Sequence, residues 1–328
     1  MPTIAPLDLG EHSLFAGFVD DVPLFATVDG ALHVLNGAHR KVDVHQGLAS
    51  LTLTQDGKHL ITGGEDGKVQ LTGVDLVSQT LSTHGTKWIA QVASGPNSAL
   101  GWAIGKTAYV REAQGKNNAQ IHEIPHGRTV EGLAFFPKGL RIACAHYDGI
   151  SLHFPGTKSG MQTLPWKGAH LGVTVAPDGE YVISTMQENA LHGWRLTDKR
   201  DLRMSGYPAK TKSLSWSQKG RYLATSGAPA AIVWPFLAKD GPMGKAPLEL
   251  GTRGDAMVMM VACHPQEDLV AIGYNDGMIL LVRFSDAREV VLRRAGTAAI
   301  SALGWDKTGA RLAFGSDNGN CGVVDLRS

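Results

Sequence analysis

The chain has little cysteine: three residues, Cys144, Cys263 and Cys321, in 328. They are odd in number, far apart and contain no Cys-x-x-Cys, which argues against a disulfide framework and against a thiolate zinc site. Charge of one sign is also lacking, since 31 Lys and Arg stand against 30 Asp and Glu for a formal charge of +1. That balance speaks against a chain built around a nucleic-acid backbone, although a local basic patch is compatible with it. Long apolar runs are missing too. The longest, Ala256–Cys263, spans eight residues and is too short to cross a bilayer. The first nine residues have neither a basic nor an apolar secretory region, so a reduced, cytoplasmic setting is the expectation. Low-complexity tracts are absent, while glycine is abundant at 40 residues, which points to many tight turns.

One unit recurs about every 40 residues, a period typical of propeller blades. It consists of an apolar strand, a polar turn with Gly, a second strand ending in small residues, an Asp-Gly-type turn and a third strand. Leu48–Thr54 leads to Gln55-Asp56-Gly57-Lys58, His59–Gly63, Glu65-Asp66-Gly67 and Lys68–Gly73. Val130–Phe136, Leu171–Ala176, Leu214–Ser217, Met257–Cys263 and Ile300–Trp305 each begin a further clear copy. Ser13–Val19 and Trp88–Ala93 begin two weaker ones. Asp-Gly and Asn-Gly suit the positive-φ positions of two-residue hairpins, and Pro-Asp-Gly suits a tight turn. Each copy ends on a short polar fourth strand, as at Val77–Leu81 and Arg288–Leu292.

These turns and strands resemble the WD40-repeat family, over essentially the whole chain. The family's Trp-Asp ending on the third strand is replaced here, for example by Thr72-Gly73-Val74-Asp75 or Val233-Trp234-Pro235. The chain's one Trp-Asp pair, Trp305-Asp306, ends a first strand instead. Reversed forms of the Gly-His start stand at His84-Gly85 and His126-Gly127. The divergence predicts loss of the family's Asp-His-Ser-Trp hydrogen-bond network, with packing carrying the stability. The resemblance implies an all-β fold: one β-propeller of four-stranded antiparallel blades over residues 1–328, with eight blades preferred and seven the alternative. Eight copies are counted, the last lacking an outer strand. The segment 3–9 is expected to complete that last blade, 297–328, and so close the ring. Leu237–Pro247 is read as a surface loop.

Catalytic and metal motifs are sparse. Gly105-Lys106-Thr107 has the end of a phosphate loop, but Leu100 occupies the required glycine position and strand follows instead of helix. There is no Gly-x-Ser-x-Gly elbow and no His-Glu-x-x-His. His33, His39 and His45 are spaced by six and His122 and His126 by four, and are read as turn and edge residues without ligand spacing. Cys144 and Cys263 are read as buried inert thiols. No catalytic residue, metal or cofactor is expected.

A partner would sit where loops entering the first strands and turns after the second strands share a rim. The entering loops carry Lys87, Trp88, Arg128, Trp166, Lys167, His170, Lys212 and Arg253, and the turns carry His146, Tyr147 and Tyr274. Trp, Tyr and Arg dominate interface hot spots, and a basic inner ring favours an acidic segment. WD40-like proteins are mostly assembly platforms, so the resemblance implies a monomeric, non-catalytic scaffold for a protein partner, with no membrane role. Two alternatives stay open. A metal-binding or hydrolytic propeller requires His146, His170 and Asp148 to converge within about 5 Å. A nucleic-acid binder using the basic rim requires steep salt dependence.

Overall fold

The computed structural model describes residues 3–114, 118–238 and 240–327. Apart from one 3-10 turn, Pro96–Ser98, the regular structure of these residues is strand, paired antiparallel throughout.

β1 (Thr3–Asp8) comes first in the chain and joins the last sheet. β2 (Ser13–Val19), β3 (Val22–Thr27), β4 (Ala31–Asn36) and β5 (Ala38–Asp43) pair in sequence order. So do β6 (Leu48–Leu53), β7 (Leu60–Gly64), β8 (Lys68–Thr72) and β9 (Ser78–Thr83). The next sheet is β10 (Gln91–Ser94), β11 (Leu100–Ile104), β12 (Thr107–Gln114) and β13 (Asn118–Pro125). A six-stranded sheet follows: β14 (Gly132–Phe135), β15 (Ile142–His153), β16 (Gln162–Val175), β17 (Tyr181–Met186), β18 (Leu191–Arg195) and β19 (Arg200–Met204). Then come β20 (Leu214–Trp216), β21 (Tyr222–Thr225), β22 (Ala231–Pro235) and β23 (Leu248–Leu250). β24 (Val258–Cys263), β25 (Leu269–Tyr274), β26 (Ile279–Arg283) and β27 (Glu289–Arg293) form another sheet. β28 (Ile300–Trp305), β29 (Arg311–Ser316) and β30 (Asn320–Asp325) complete the chain. The order of this last sheet is β1-β30-β29-β28, with Thr3 opposite Asp325 and Asp8 opposite Asn320. The N-terminal segment thus supplies the missing outer strand, as its length and position predict.

The described strands form seven continuous sheets, against an expectation of eight blades with seven as the alternative, and the six-stranded one carries the strands of two repeat copies. The six-stranded sheet explains the difference from eight repeat copies. β16 pairs with β15 through Gln162–Pro165 and Ala169, then with β17 through His170–Val175. One strand therefore serves as the outer strand of one copy and the first strand of the next. β15 likewise runs through two repeat strands, with a register shift between Tyr147 and Gly149.

The copies share a register irregularity that periodicity alone does not show. The pairing of the first and second strands shifts between Ser13 and Phe15, Leu48 and Ser50, His170 and Gly172, Val258 and Met260, and Ile300 and Ala302. A bulge here re-aims the entering loop. Asp side chains shape the turns. Asp56, Asp66, Asp178 and Asp276 each accept the backbone N–H two residues on, at 2.8–3.1 Å. This self-capping is what aspartate does best in a turn, and it occupies carboxylates that could otherwise be suspected of chemistry. Gly67 needs its glycine: φ is +74° and a Cβ would lie 2.1 Å from the Gly85 carbonyl oxygen.

The chain divides into two compact units. One holds the described residues of 1–28, 32–41 and 206–328, the other those of 29–31 and 42–205. In the first unit, Val258, Val261, Ile272 and Phe284 pack against Ala224, Val233 and Leu250 of the neighbouring sheet. Ala16, Phe18 and Phe25 pack against Ala302, Ala313 and Cys321. In the second unit, Ile61 and Val69 meet Ile89, Leu100 and Trp102, and Val110 meets Phe135, Ile142 and Cys144. The insertion before β23 is built of turns, such as Gly241 N–H to the Ala238 carbonyl, 2.8 Å, with Lys239 outside the described residues.

Candidate functional site

The residue type expected to vanish with the Trp-Asp ending is instead replaced in place. In the β6–β9 sheet, His45 Nδ1 donates to Asp66 Oδ1 at 3.0 Å and its Nε2 accepts from the Thr62 hydroxyl at 2.9 Å. Burial lowers the His45 pKa, against the opposing pull of Asp66. In the β20–β23 sheet a tyrosine takes the histidine's part. Trp234 Nε1 donates to the Tyr207 oxygen at 2.6 Å, Tyr207 meets Thr225 Oγ1 at 2.7 Å, and Thr225 donates to the Ile232 carbonyl at 2.9 Å. The prediction of a lost network is therefore corrected: the polar networks persist with altered members, because the slots converge in space whatever residue fills them.

That same logic corrects part of the rim. His170 is fully buried, with Nε2 donating to the Trp166 carbonyl at 3.0 Å and Nδ1 on the Ser184 hydroxyl at 2.7 Å. Tyr274 is also buried and its hydroxyl donates to the Gly251 carbonyl. Arg253, half-buried, pairs with Asp276 at 2.7 Å and lies over the Tyr274 ring at 5.1 Å. The His170 and Tyr274 side chains are thus enclosed within their sheets, and Arg253 is held in an ion pair with Asp276. In the first unit that leaves Lys212, which is exposed.

The remaining rim residues lie in the second unit. Trp88 is 60% exposed and Tyr147 47% exposed. Lys87, Arg128 and Lys167 are exposed, and His146 and Trp166 are half-buried. The Arg128 guanidinium lies 6.0 Å from the Tyr147 ring centre. Tyr147 separates two clefts. One, about 380 Å³, is lined by Trp166, Lys167, Met186, Glu188 and Arg203. The other, about 330 Å³, is lined by Arg128, Thr129, Glu131 and Leu171. Trp166 stacks on His192 with ring centres 3.8 Å apart. A cavity of about 420 Å³ lies elsewhere in the unit, among Thr54–His59, Ser94–Ser98 and Arg111. Its walls combine turn residues with Leu71, Leu100 and Arg111 of strands, and no Phe, Tyr or Trp ring lines it.

The trio His146, His170 and Asp148 does not form a ligand set. Among the described residues one group of three His, Cys, Asp or Glu brings its ligand atoms within 4.8 Å of one another, and it is His126, Cys144 and His153. The sequence alone places Cys144 as a buried inert thiol and His126 as a turn or edge residue without ligand spacing. The available signal was the loop position of His126 together with Ser151 and His153 on one face of one strand. His126 Nε2 lies 3.1 Å from His153 Nε2, and both approach Ser151 Oγ, at 3.1 and 2.9 Å. Burial holds His153 down at about 4, with His126 and His146 adding to the shift, so its imidazole is neutral at physiological pH. Burial pushes the Cys144 thiol far up.

The family model "WD domain, G-beta repeat" matches residues 37–71, the stretch that carries the His45–Asp66–Thr62 network. A second, "Anaphase-promoting complex subunit 4 WD40 domain", matches residues 261–328. The fold is a β-propeller, and the two matched stretches are WD40-type repeats within it. Among solved structures, the propeller is similar to the RRP9 WD40 repeats, at 15% identity and a TM-score of 0.63, covering 85% of this chain and 94% of that one. It is also similar to the computationally designed Ika8 protein, at 17% identity and a TM-score of 0.77, covering 97% of each. A curated relative, actin-interacting protein 1-2 of Arabidopsis thaliana, is 22% identical over 158 residues, 46% of this chain. The chain spans about a quarter of that relative's length, 26%. No helix among the described residues is long and apolar enough to cross a membrane.

Proposed function

We propose that this propeller is a non-catalytic docking platform that holds an acidic segment of a protein partner against Trp88, Arg128, Tyr147, Trp166 and Lys167. WD40 propellers generally serve as protein-interaction scaffolds, and the matched relative is named for an interaction with another protein. The observation that carries the reading is the pair of large aromatics left in solvent, Trp88 and Tyr147, with the Arg128 cation set against one of them. An unpacked indole on a loop costs solubility and gains nothing unless something covers it, and Trp, Tyr and Arg are the residues that carry most binding energy. The cations Arg128, Lys167 and Arg203 beside these rings favour carboxylates on the partner. The cytoplasm and a monomeric state are the setting this reading assumes.

The test is capture from native extract, identification of the dominant bound protein, and reconstitution with that protein purified. Trp88→Ala with Arg128→Glu is expected to abolish the reconstituted complex while the melting temperature stays within about 1–2 °C, as for surface changes. Undiminished binding would move the interface elsewhere, the 420 Å³ cavity being the next surface to examine.

A further inference from the structure

We infer that His126, Cys144 and His153 form a binding site for one soft or borderline cation, Zn²⁺ or Cu⁺. The site is independent of the docking face, and a failure of either leaves the other standing. Three observations carry it. First, the donors converge: one nitrogen from each histidine and the Cys144 sulfur lie within 4.8 Å of one another, the two Nε2 atoms at 3.1 Å. In a tetrahedral site with metal–nitrogen bonds of about 2.0–2.1 Å, neighbouring nitrogens stand about 3.3 Å apart, and a sulfur at about 2.3 Å stands about 3.6 Å from each. The nitrogens are thus already at ligand separation, and the thiol needs about 1 Å of movement at most.

Second, His126 is oriented as metal-ligating histidines are. Its Nδ1–H donates to the Ile124 carbonyl at 2.9 Å, which leaves the Nε2 lone pair pointing at His153 and Ser151. A backbone carbonyl on the far ring nitrogen is the common second contact of a ligating imidazole. Third, the surroundings fit an ion with access. Cys144 is walled by Val110, Val130, Phe135 and Ile142, whereas both histidines are half-exposed. The His146 ring, 6.0 Å from that of His126, and the Ser151 hydroxyl stand ready for a fourth position. Two imidazoles and one sulfur suit Zn²⁺ or Cu⁺ and not the oxygen-seeking Mg²⁺ or Ca²⁺. Binding would release the Cys144 thiol proton to solvent, and no oxidation is involved.

The experiment uses the tag-free full chain, stripped with chelator under reducing, oxygen-free conditions. Zn²⁺ and Cu⁺ are titrated separately against competing chromophoric chelators, and Co²⁺ serves as the spectroscopic probe. One equivalent per chain is expected for at least one ion, with a near-ultraviolet thiolate-to-cobalt band. His126→Gln, His153→Gln and Cys144→Ala should each weaken binding at least tenfold, and Cys144→Ala should remove the band. The Cys263→Ser/Cys321→Ser double variant keeps Cys144 as the sole cysteine and should keep the band, so the site remains testable should a histidine variant fail to fold. Absence of the band in that double variant, or affinity unchanged in the ligand variants, would overturn the site and leave a hydrogen-bond network among imidazoles and Ser151.

Discussion

His192 sits with both ring nitrogens buried and without hydrogen-bond partners, stacked on Trp166 and edge-to-face with Trp194. Desolvation brings its pKa to about 4, reinforced by His170 and Arg203 and opposed by Asp201. The unfolded chain binds this proton near pH 6.5, so between 6.5 and 4 the unfolded state holds more protons than the folded one and stability rises with pH. Acid therefore destabilises through this ring, and the loss is absent above the unfolded value. His192→Phe keeps the aromatic contacts and removes two unpaired polar atoms. It is expected to gain about 1–2 kcal/mol in urea unfolding at pH 7 and to flatten the decline on going to pH 5. A variant no more stable than the parent would mean that those nitrogens are satisfied in solution. Gly67→Ala runs the other way. The positive φ and the 2.1 Å approach to the Gly85 carbonyl predict a loss of about 3 kcal/mol by thermal or urea melts. Turn glycines of this kind were legible in the sequence, since Asp-Gly names its own geometry. Burial was not: Trp88 and His170 both belong to segments entering a first strand, yet one is 60% exposed and the other fully buried.

At the scale of the element, the lesson concerns substitution within a conserved geometry. A Trp-Asp dipeptide is local and readable, whereas a network spanning residues 45, 62 and 66, or 207, 225 and 234, depends on loop and strand segments apart in sequence meeting in space. Tyr207 replacing an imidazole cannot be read from spacing, and neither can the convergence of His126, Cys144 and His153. The His45–Asp66 pair should show coupling. In a double-mutant cycle of His45→Ala and Asp66→Ala, an interaction energy of about 1–2 kcal/mol is expected from urea unfolding at pH 7. Near-additive losses would show that the two side chains stabilise the sheet separately. β1 offers a second element-level test. Its position was legible because the last copy lacked a partner, and its own Ile4 and Leu7 pack against the neighbouring core clusters. Removing residues 1–9 exposes the free edge of β30, which should cost about 3 kcal/mol, or about 5–10 °C in Tm, and promote concentration-dependent association. Light scattering that stays flat with concentration would show that the edge is blunted by another device.

For the whole molecule, the turns carried the count of repeat copies and the strands carried the fold, but the sheets numbered seven because β16 passes between two copies unbroken. Hydrogen-bond continuity is a property of backbone geometry, and a repeat pattern cannot show whether a link between strands bends or stays extended. Composition bears more directly on how the molecule meets a partner. With a formal charge of +1, no long-range field of one sign surrounds the chain, so steering toward a partner must come from the local cations beside the exposed rings. Screening acts on that steering and spares aromatic burial. Raising ionic strength from about 0.05 to 0.5 M should therefore slow association of the purified partner about tenfold and change dissociation little, as measured by surface plasmon resonance. Arg128→Glu should weaken the salt dependence of association or reverse its sign, while Trp88→Ala should leave that dependence intact and accelerate dissociation. A salt effect confined to dissociation would instead place desolvated ion pairs at the centre of the interface, with Trp88 and Tyr147 at its margin.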